Sequence, residues 1–253
     1  MTYRPPTRDP FAQLRAMTTA RVGLGRSGDG LPTAPMLAFQ LAHAAARDAV
    51  HAGLDMDRLA TDLAPRPTLC VVSQAGDRTT YLRRPDLGRR LAAADSANLS
   101  PGDWDLAIVV ADGLSATAVH AHAPALIAAV AEHLGDWRIA PVVIATQARV
   151  ALGDAIGAAL GAQLVLVLIG ERPGLSAPDS LGAYLTWRPA IGTPDSARNC
   201  VSNIRPPHGL DYAAAAGTLA WLLRQARARG LTGVALKDDR PTGARALAAP
   251  MGD

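Results

Sequence analysis

Two cysteines, one lysine, aromatic residues at 4% and no long apolar run: the sequence of 253 residues lacks the usual material of several functions. Cys70 and Cys200 are too few for a disulfide framework, and neither sits in a CxxC or in a Cys/His cluster with zinc spacing. No stretch approaches the roughly 18 consecutive apolar residues of a membrane span. The opening MTYRPPTRDPFAQLR carries prolines and charges where a signal peptide needs an apolar core. A soluble, cytoplasmic chain without a membrane partner is the expectation. Catalytic signatures are missing too. There is no GxSxG elbow, and the only lysine, Lys237, has no serine three residues before it.

What is present is core. Hydrophobic residues make up 49% and charged residues 19%, enough apolar surface to fold and too little charge for a disordered chain. The length suits one large domain, or one domain with a helical appendage. The net charge of +3 is almost wholly arginine and is scattered. A nucleic-acid footprint would need clustered Lys/Arg with stacking aromatics, so no such partner is expected.

The pattern divides the chain into a polar leader (residues 1–20), a helical N-terminal extension (21–66), an α/β domain (67–236) and a flexible tail (237–253). The extension opens on the glycine-rich RVGLGRSGDGLPTAP and continues into a helix whose Leu37, Leu41, Ala44 and Ala45 share one face. A second short helix is expected over 56–63, ended by Pro65 and Pro67. Unbroken apolar runs follow at 69–73, 106–112, 140–145 and 164–170, the last three alternating with helical segments at 115–134 and 150–161. Such runs indicate strands covered on both faces, and the alternation indicates βαβ crossovers. The fold class is therefore α/β, with a doubly wound, mostly parallel sheet. Val119, Ala123, Leu126, Ile127, Val130 and Leu134 form the buried stripe of the 115–134 helix, in which Pro124 should cause a kink or a restart. One further strand is expected at 183–187 between turn-rich segments. A long helix at 211–229 should turn Leu219, Leu222, Leu223 and Ala226 inward.

Several motifs invite chemistry. Gly23-Leu24-Gly25-Arg26-Ser27-Gly28 is formally a GxGxxG, but a dinucleotide fingerprint needs a strand before it and an acidic residue after a second strand. A glycine-rich docking loop is the favoured reading, and a nucleotide-binding enzyme the competing one. His120 and His122 lie two apart on a helix and face different ways, so they do not chelate together. No catalytic residue and no metal site is expected in this chain. In an open parallel sheet, ligands bind outside the carboxyl ends of the strands. Three loops lie there, around Asp112–Ser115, Gln147–Val150 and Gly170–Ser176. Asp112 and Ser115 are equally well read as helix caps, and Glu171 beside Arg172 as an ion pair.

These loops also carry a resemblance. RVGLGRSGDGLPTAP, ARVALGDAIG, GERPGLS and, some thirty residues later, ARNCVSNIRP together resemble the small subunit of ethanolamine ammonia-lyase, and the match covers about residues 21 to 239. The resemblance implies an adenosylcobalamin-dependent lyase of two subunits that converts ethanolamine to acetaldehyde and ammonia by a radical route. The large subunit, an α/β barrel, would hold the ethanolamine. The small subunit would supply a Rossmann-like cobalamin-binding domain, with the cofactor between the two. Location would be the cytoplasm or a bacterial microcompartment.

By the same resemblance, the cofactor-contacting positions map onto Val150, Glu171 and Cys200. Their chemistry is compatible. Val150 offers an apolar contact, and ionised Glu171 accepts the amide N–H groups of a corrin rim. Cys200 is small enough to pack closely, with nothing marking it as a cobalt ligand. Asp112, Ser115 and Arg149 share the rim as further cofactor-side candidates. The D-x-H-x-x-G loop of base-displacing cobalamin proteins is absent, since Asp48-Ala49-Val50-His51-Ala52-Gly53 has the wrong spacing. The cofactor's benzimidazole is therefore expected to stay on cobalt. A stand-alone cobalamin-binding or trafficking module is the alternative function.

Overall fold

A computed structural model describes residues 9–240. The helices are α1 (Ala12–Met17), α2 (Thr33–His51), α3 (Met56–Asp62), α4 (Arg78–Arg83), α5 (Ala93–Ser96), α6 (Ala116–Leu134), α7 (Leu152–Leu160) and α8 (Tyr212–Arg229). The strands are β1 (Thr68–Val72), β2 (Leu106–Ala111), β3 (Val142–Thr146), β4 (Leu164–Gly170), β5 (Leu181–Trp187) and β6 (Asn199–Ile204). They form one sheet in the order β1-β3-β2-β4-β5-β6. The first four run parallel, and β5 and β6 extend the sheet antiparallel. The sheet is mixed, with four parallel strands and a two-strand antiparallel edge.

Side chains alternate between two cores, as a strand period of two requires. Leu106, Ile108 and Val110 of β2 and Leu164, Leu166 and Leu168 of β4 join the buried faces of α6 and α8. Ala107, Val109 and Ala111, with Val165, Val167 and Ile169, meet Leu152, Ile156 and Leu160 of α7. The α7 side is built of smaller residues, and α7 lies close to it because it has glycine where it touches the sheet. A Cβ at Gly153 would stand 2.3 Å from Val167 Cγ2, and one at Gly157 would stand 2.6 Å from Pro189 Cγ.

The predicted stripe of α6 is buried throughout. Pro124 neither ends nor restarts this helix; packing on both sides of it keeps the two halves in one element. Asp211 caps α8 by accepting from Ala214 N. Strand β6 falls in a segment that the sequence pattern reads as turns. It is an edge strand in which only Val201 and Ile204 are buried, so its polar residues hide the alternation. Of the tail, the described residues up to 240 are tied down. Arg240 donates to Thr218 on α8 and pairs with Asp238. Residues 1–8 and 241–253 of the expected leader and tail lie outside the described residues, and residues 9–20 include α1.

The glycine-rich segment 23–30 has no strand before it among the described residues, since β1 is the first. It closes on itself through paired Ser27 and Gly30 backbone bonds and packs against Phe11 at Gly23. That geometry removes the dinucleotide reading. The helix after it, α2, buries only Ala49. Leu37 and Leu41, on its predicted apolar face, are 58% and 73% exposed.

Gly153→Ala should lower the unfolding free energy by about 1–3 kcal/mol through overpacking against β4. Gly217→Ala, on α8 with open space around it, should raise it by about 0.5–1 kcal/mol. Urea unfolding of the two variants reads both signs.

Candidate functional site

The carboxyl ends of β2 and β3 are tied together by one buried carboxylate. Asp112, one residue past β2, accepts from the backbone N–H groups of Gln147 and Ala148 just past β3, each at 2.9 Å. Arg78 stands 3.4 Å from the same carboxylate and donates to Gly113 O and to Val50 O at the end of α2. Burial pushes the Asp112 carboxyl above its ordinary range, and the N–H donors and Arg78 oppose that rise. The bond to Gln147 N accompanies a left-handed backbone at that residue, φ 53°. On the other side, β2 and β4 meet backbone to backbone. A Cβ at Gly113, where φ is 54°, would stand 2.3 Å from Gly170 O, and one at Gly170 would stand 2.1 Å from Ser115 O. Ser115 caps α6 and donates to Pro178 O, fully buried. Asp112 and Ser115 therefore face into the protein beneath the strand ends, and both satisfy backbone groups there.

Above them lie two adjoining cavities. The larger, about 800 Å³, is lined by Arg149, Val150, Arg172, Tyr184, Arg198 and Cys200, with Pro85, Asp86, Arg89, Ala151 and Asp195 at its margin. The smaller, about 270 Å³, lies among Tyr81, Gly113, Leu114, Ile169, Gly170 and Glu171 and shares Arg149, Val150, Arg172 and Tyr184 with the first. Val150, Glu171, Cys200 and Arg149 thus reach one crevice from three parts of the chain. Val150 and Arg149 come from the β3–α7 turn, Glu171 from the end of β4 and Cys200 from the edge strand β6.

Glu171 makes no ion pair with Arg172. Its carboxylate accepts from the Ser180 and Ser202 hydroxyls and, at 3.3 Å, from Asn203 N. It thereby ties the end of β4 to β6. A carboxylate has about four lone-pair positions, so one acceptor position remains. Cys200 is exposed and lies opposite Tyr184 in the β5–β6 register. Crowding by its neighbours raises the thiol pKa, Tyr184 lowers it by hydrogen bonding, and the Glu171 charge raises it further. Cys200 is therefore a thiol at neutral pH, a packing group and not an activated nucleophile.

Three residues of the crevice escape the sequence reading. Tyr81 is fully buried, and its hydroxyl donates to Ala148 O; burial, before any charge, pushes its pKa up to about 12. It lies on α4, in a stretch without a recognisable period. Tyr184 points to the crevice because Ala183 and Leu185 point into the opposite core, and the alternation of β5 does carry that signal. Arg198 is buried and bonds Asp154 through both terminal nitrogens at 2.6 Å, adding Thr186 Oγ1 and Thr193 O. It fastens the start of α7 to the chain entering β6. No residue distant in sequence announces this pair.

The histidines lie elsewhere. His120 accepts from Asp55 N and His122 meets the Tyr212 hydroxyl, on different faces of α6 as their spacing requires. Among the described residues no three His, Cys, Asp or Glu converge as metal ligands, and no helix is long and apolar enough to cross a membrane.

The family model of the ethanolamine ammonia-lyase light chain matches residues 8–237. The chain belongs to this family. It is 55% identical over 249 residues to the ethanolamine ammonia-lyase small subunit of Xanthomonas campestris pv. campestris (strain B100), covering 93% of this chain and 91% of that one. Its identity to the small subunit of Ralstonia nicotianae (strain ATCC BAA-1114 / GMI1000) is 53% over 242 residues, 92% of this chain and 89% of the relative. To that of Azotobacter vinelandii (strain DJ / ATCC BAA-1303) it is 52% over 247 residues, 93% and 90%. The match spans the whole crevice, including Arg149, Val150, Glu171 and Cys200, and also α2. Membership in a small-subunit family accords with a chain that presents an open crevice and an uncovered apolar helix.

Asp154→Asn leaves the buried Arg198 with only the exposed Asp195 as counter-charge and should cost about 3 kcal/mol of stability. Asp154→Leu combined with Arg198→Met should recover most of that loss. Denaturant midpoints of the single and double variants check this.

Proposed function

We propose that this chain is the cofactor-anchoring small subunit of a two-subunit ethanolamine ammonia-lyase, acting with a large subunit that holds ethanolamine and yields acetaldehyde and ammonia. Its sheet serves as a Rossmann-like cobalamin-binding domain, with the cofactor at the carboxyl ends of β2, β3 and β4. The observation that carries this reading is the convergence of Val150, Glu171 and Cys200, from three separate segments, on the adjoining cavities.

The residues fit the group. A cavity of about 800 Å³ is of a size that encloses a drug-sized molecule, and a corrin with its nucleotide tail is larger. This chain would therefore cover one side of it, and a second subunit the other. Val150 supplies an apolar surface, Cys200 a small close contact, and Glu171 its remaining acceptor position for a corrin amide N–H. Arg149 adds a donor, while Asp112 and Ser115 shape the floor from below. Adenosylcobalamin supplies the radical chemistry when bound; the chain's own part is to bind, orient and exclude water. No side chain here is assigned a proton transfer.

Docking is assigned to α2. A helix of 19 residues with one buried residue and exposed Met36, Leu37, Phe39 and Leu41 is poorly supported in water, where helical stability comes mainly from packing of an apolar face. Its carboxyl end is tied to the crevice through Val50 O and Arg78, so a large subunit seated on α2 is led to the cofactor. The stand-alone binding or trafficking module has no support from the family.

Co-expression with the large subunit of a relative should give adenosylcobalamin-dependent ammonia release that the large subunit alone lacks. The double variant Leu37→Glu, Leu41→Glu should weaken subunit association by about tenfold or more, equivalent to about 1.4 kcal/mol, as measured by sedimentation. Full activity without this chain would refute the proposal.

A further inference from the structure

We propose that Arg149 and Arg172 form an anion subsite for the phosphodiester of the cofactor's nucleotide tail. This rests on the crevice reading above and assigns one part of the ligand to one part of the site. Its starting point is the distribution of charge around the larger cavity. Arg84 is paired with Asp86 at 2.8 Å. Arg89 lies 3.6 Å from Asp195, and Arg198 is paired with both Asp154 and Asp195. The acidic residues of the cavity wall, Asp86 and Asp195, are thus both occupied. Arg149 and Arg172 have no carboxylate within ion-pair distance among the described residues, and both line the two cavities.

Arg149 is held for this role. Its guanidinium carbon lies 4.5 Å from the centre of the Tyr81 ring, a stack that fixes the plane of its donors. The ring is itself pinned by the bond from its hydroxyl to Ala148 O, and Arg149 N is bonded to Gly88 O at 2.8 Å. Within this fixed side chain, Nε is buried and has no hydrogen-bond partner. A buried donor without an acceptor is costly, and a guanidinium offers donors only. Set against the single carboxylate of Glu171 on the same wall, the two arginines leave an excess of positive charge, which selects an anionic oxygen over a neutral amide carbonyl. The phosphodiester is the anionic oxygen group on the periphery of a cobalamin.

The test uses the complete two-subunit complex and two ligands, cyanocobalamin and dicyanocobinamide, which lacks the nucleotide tail and its phosphate. Binding is followed by absorbance titration and subunit association by sedimentation. Arg149→Met should lower cyanocobalamin affinity by about tenfold or more and leave cobinamide affinity and subunit association unchanged. Arg172→Met should act in the same direction, and Arg149→Lys, which keeps the charge but loses the fork, should retain part of the discrimination. Equal losses for both ligands would overturn the assignment. So would loss of subunit association alone, which would assign the anion to a carboxylate of the large subunit. Val150→Asp separates the two levels. If it weakens both ligands while Arg149→Met weakens neither, the subsite is wrong and the crevice reading stands. If neither variant affects either ligand, the crevice reading itself fails.

Discussion

The crevice depends on a single buried carboxylate. Asp112 has exchanged water for two backbone N–H groups beyond β3 and for the guanidinium of Arg78. A buried carboxylate is tolerated only with such partners, and here the partners come from two otherwise separate segments, the turn after β3 and α4. The turn after β3 is drawn beneath β2, which sets the direction in which Arg149 and Val150 leave the sheet. The bond from Arg78 to Val50 O brings the end of α2 to the same point. The glycines at 113 and 170 complete the arrangement by letting two loop backbones touch. The cavity walls follow from these constraints.

The molecule has two kinds of surface. Its sheet is covered on both faces by α6, α8 and α7 and needs no partner. The crevice and α2 are unfinished. One exposes two arginines without counter-charges, and the other exposes leucines, a methionine and a phenylalanine. A subunit that grips a large cofactor from one side and is closed by its partner from the other requires both. In the proposed division of labour the cofactor and the partner would carry the reaction, and this chain would bind and orient.

Legibility in the sequence followed burial. Strands β2, β3 and β4 and helices α6 and α8 were readable because they are apolar on every face that touches a core. Edge strand β6 was not, because only Val201 and Ile204 are buried, and α4 was not, because six residues carry no period. At the site, GERPGLS and ARNCVSN were singled out by family resemblance, and the fold brings both segments to one crevice. Their chemistry was only half visible, since the bonds from Ser180 and Ser202 to Glu171 span 9 and 31 residues. Tyr81 and the Asp154–Arg198 pair join positions 67 and 44 residues from their partners. Such contacts arise from the fold and leave no local pattern. The apolar face of α2 was legible, but its exposure was not, because periodicity shows that a face is apolar and not what covers it.

If the crevice and α2 are the two halves of a partner-completed cofactor site, each is covered by a different component of the complex. Hydrogen exchange on the two-subunit complex tests it most directly. Adding the large subunit alone should protect amides of α2. Adding adenosylcobalamin to the complex should then protect residues 148–153 and 170–173. Protection of neither segment by the cofactor, with α2 exchanging as in the free chain, would contradict the account.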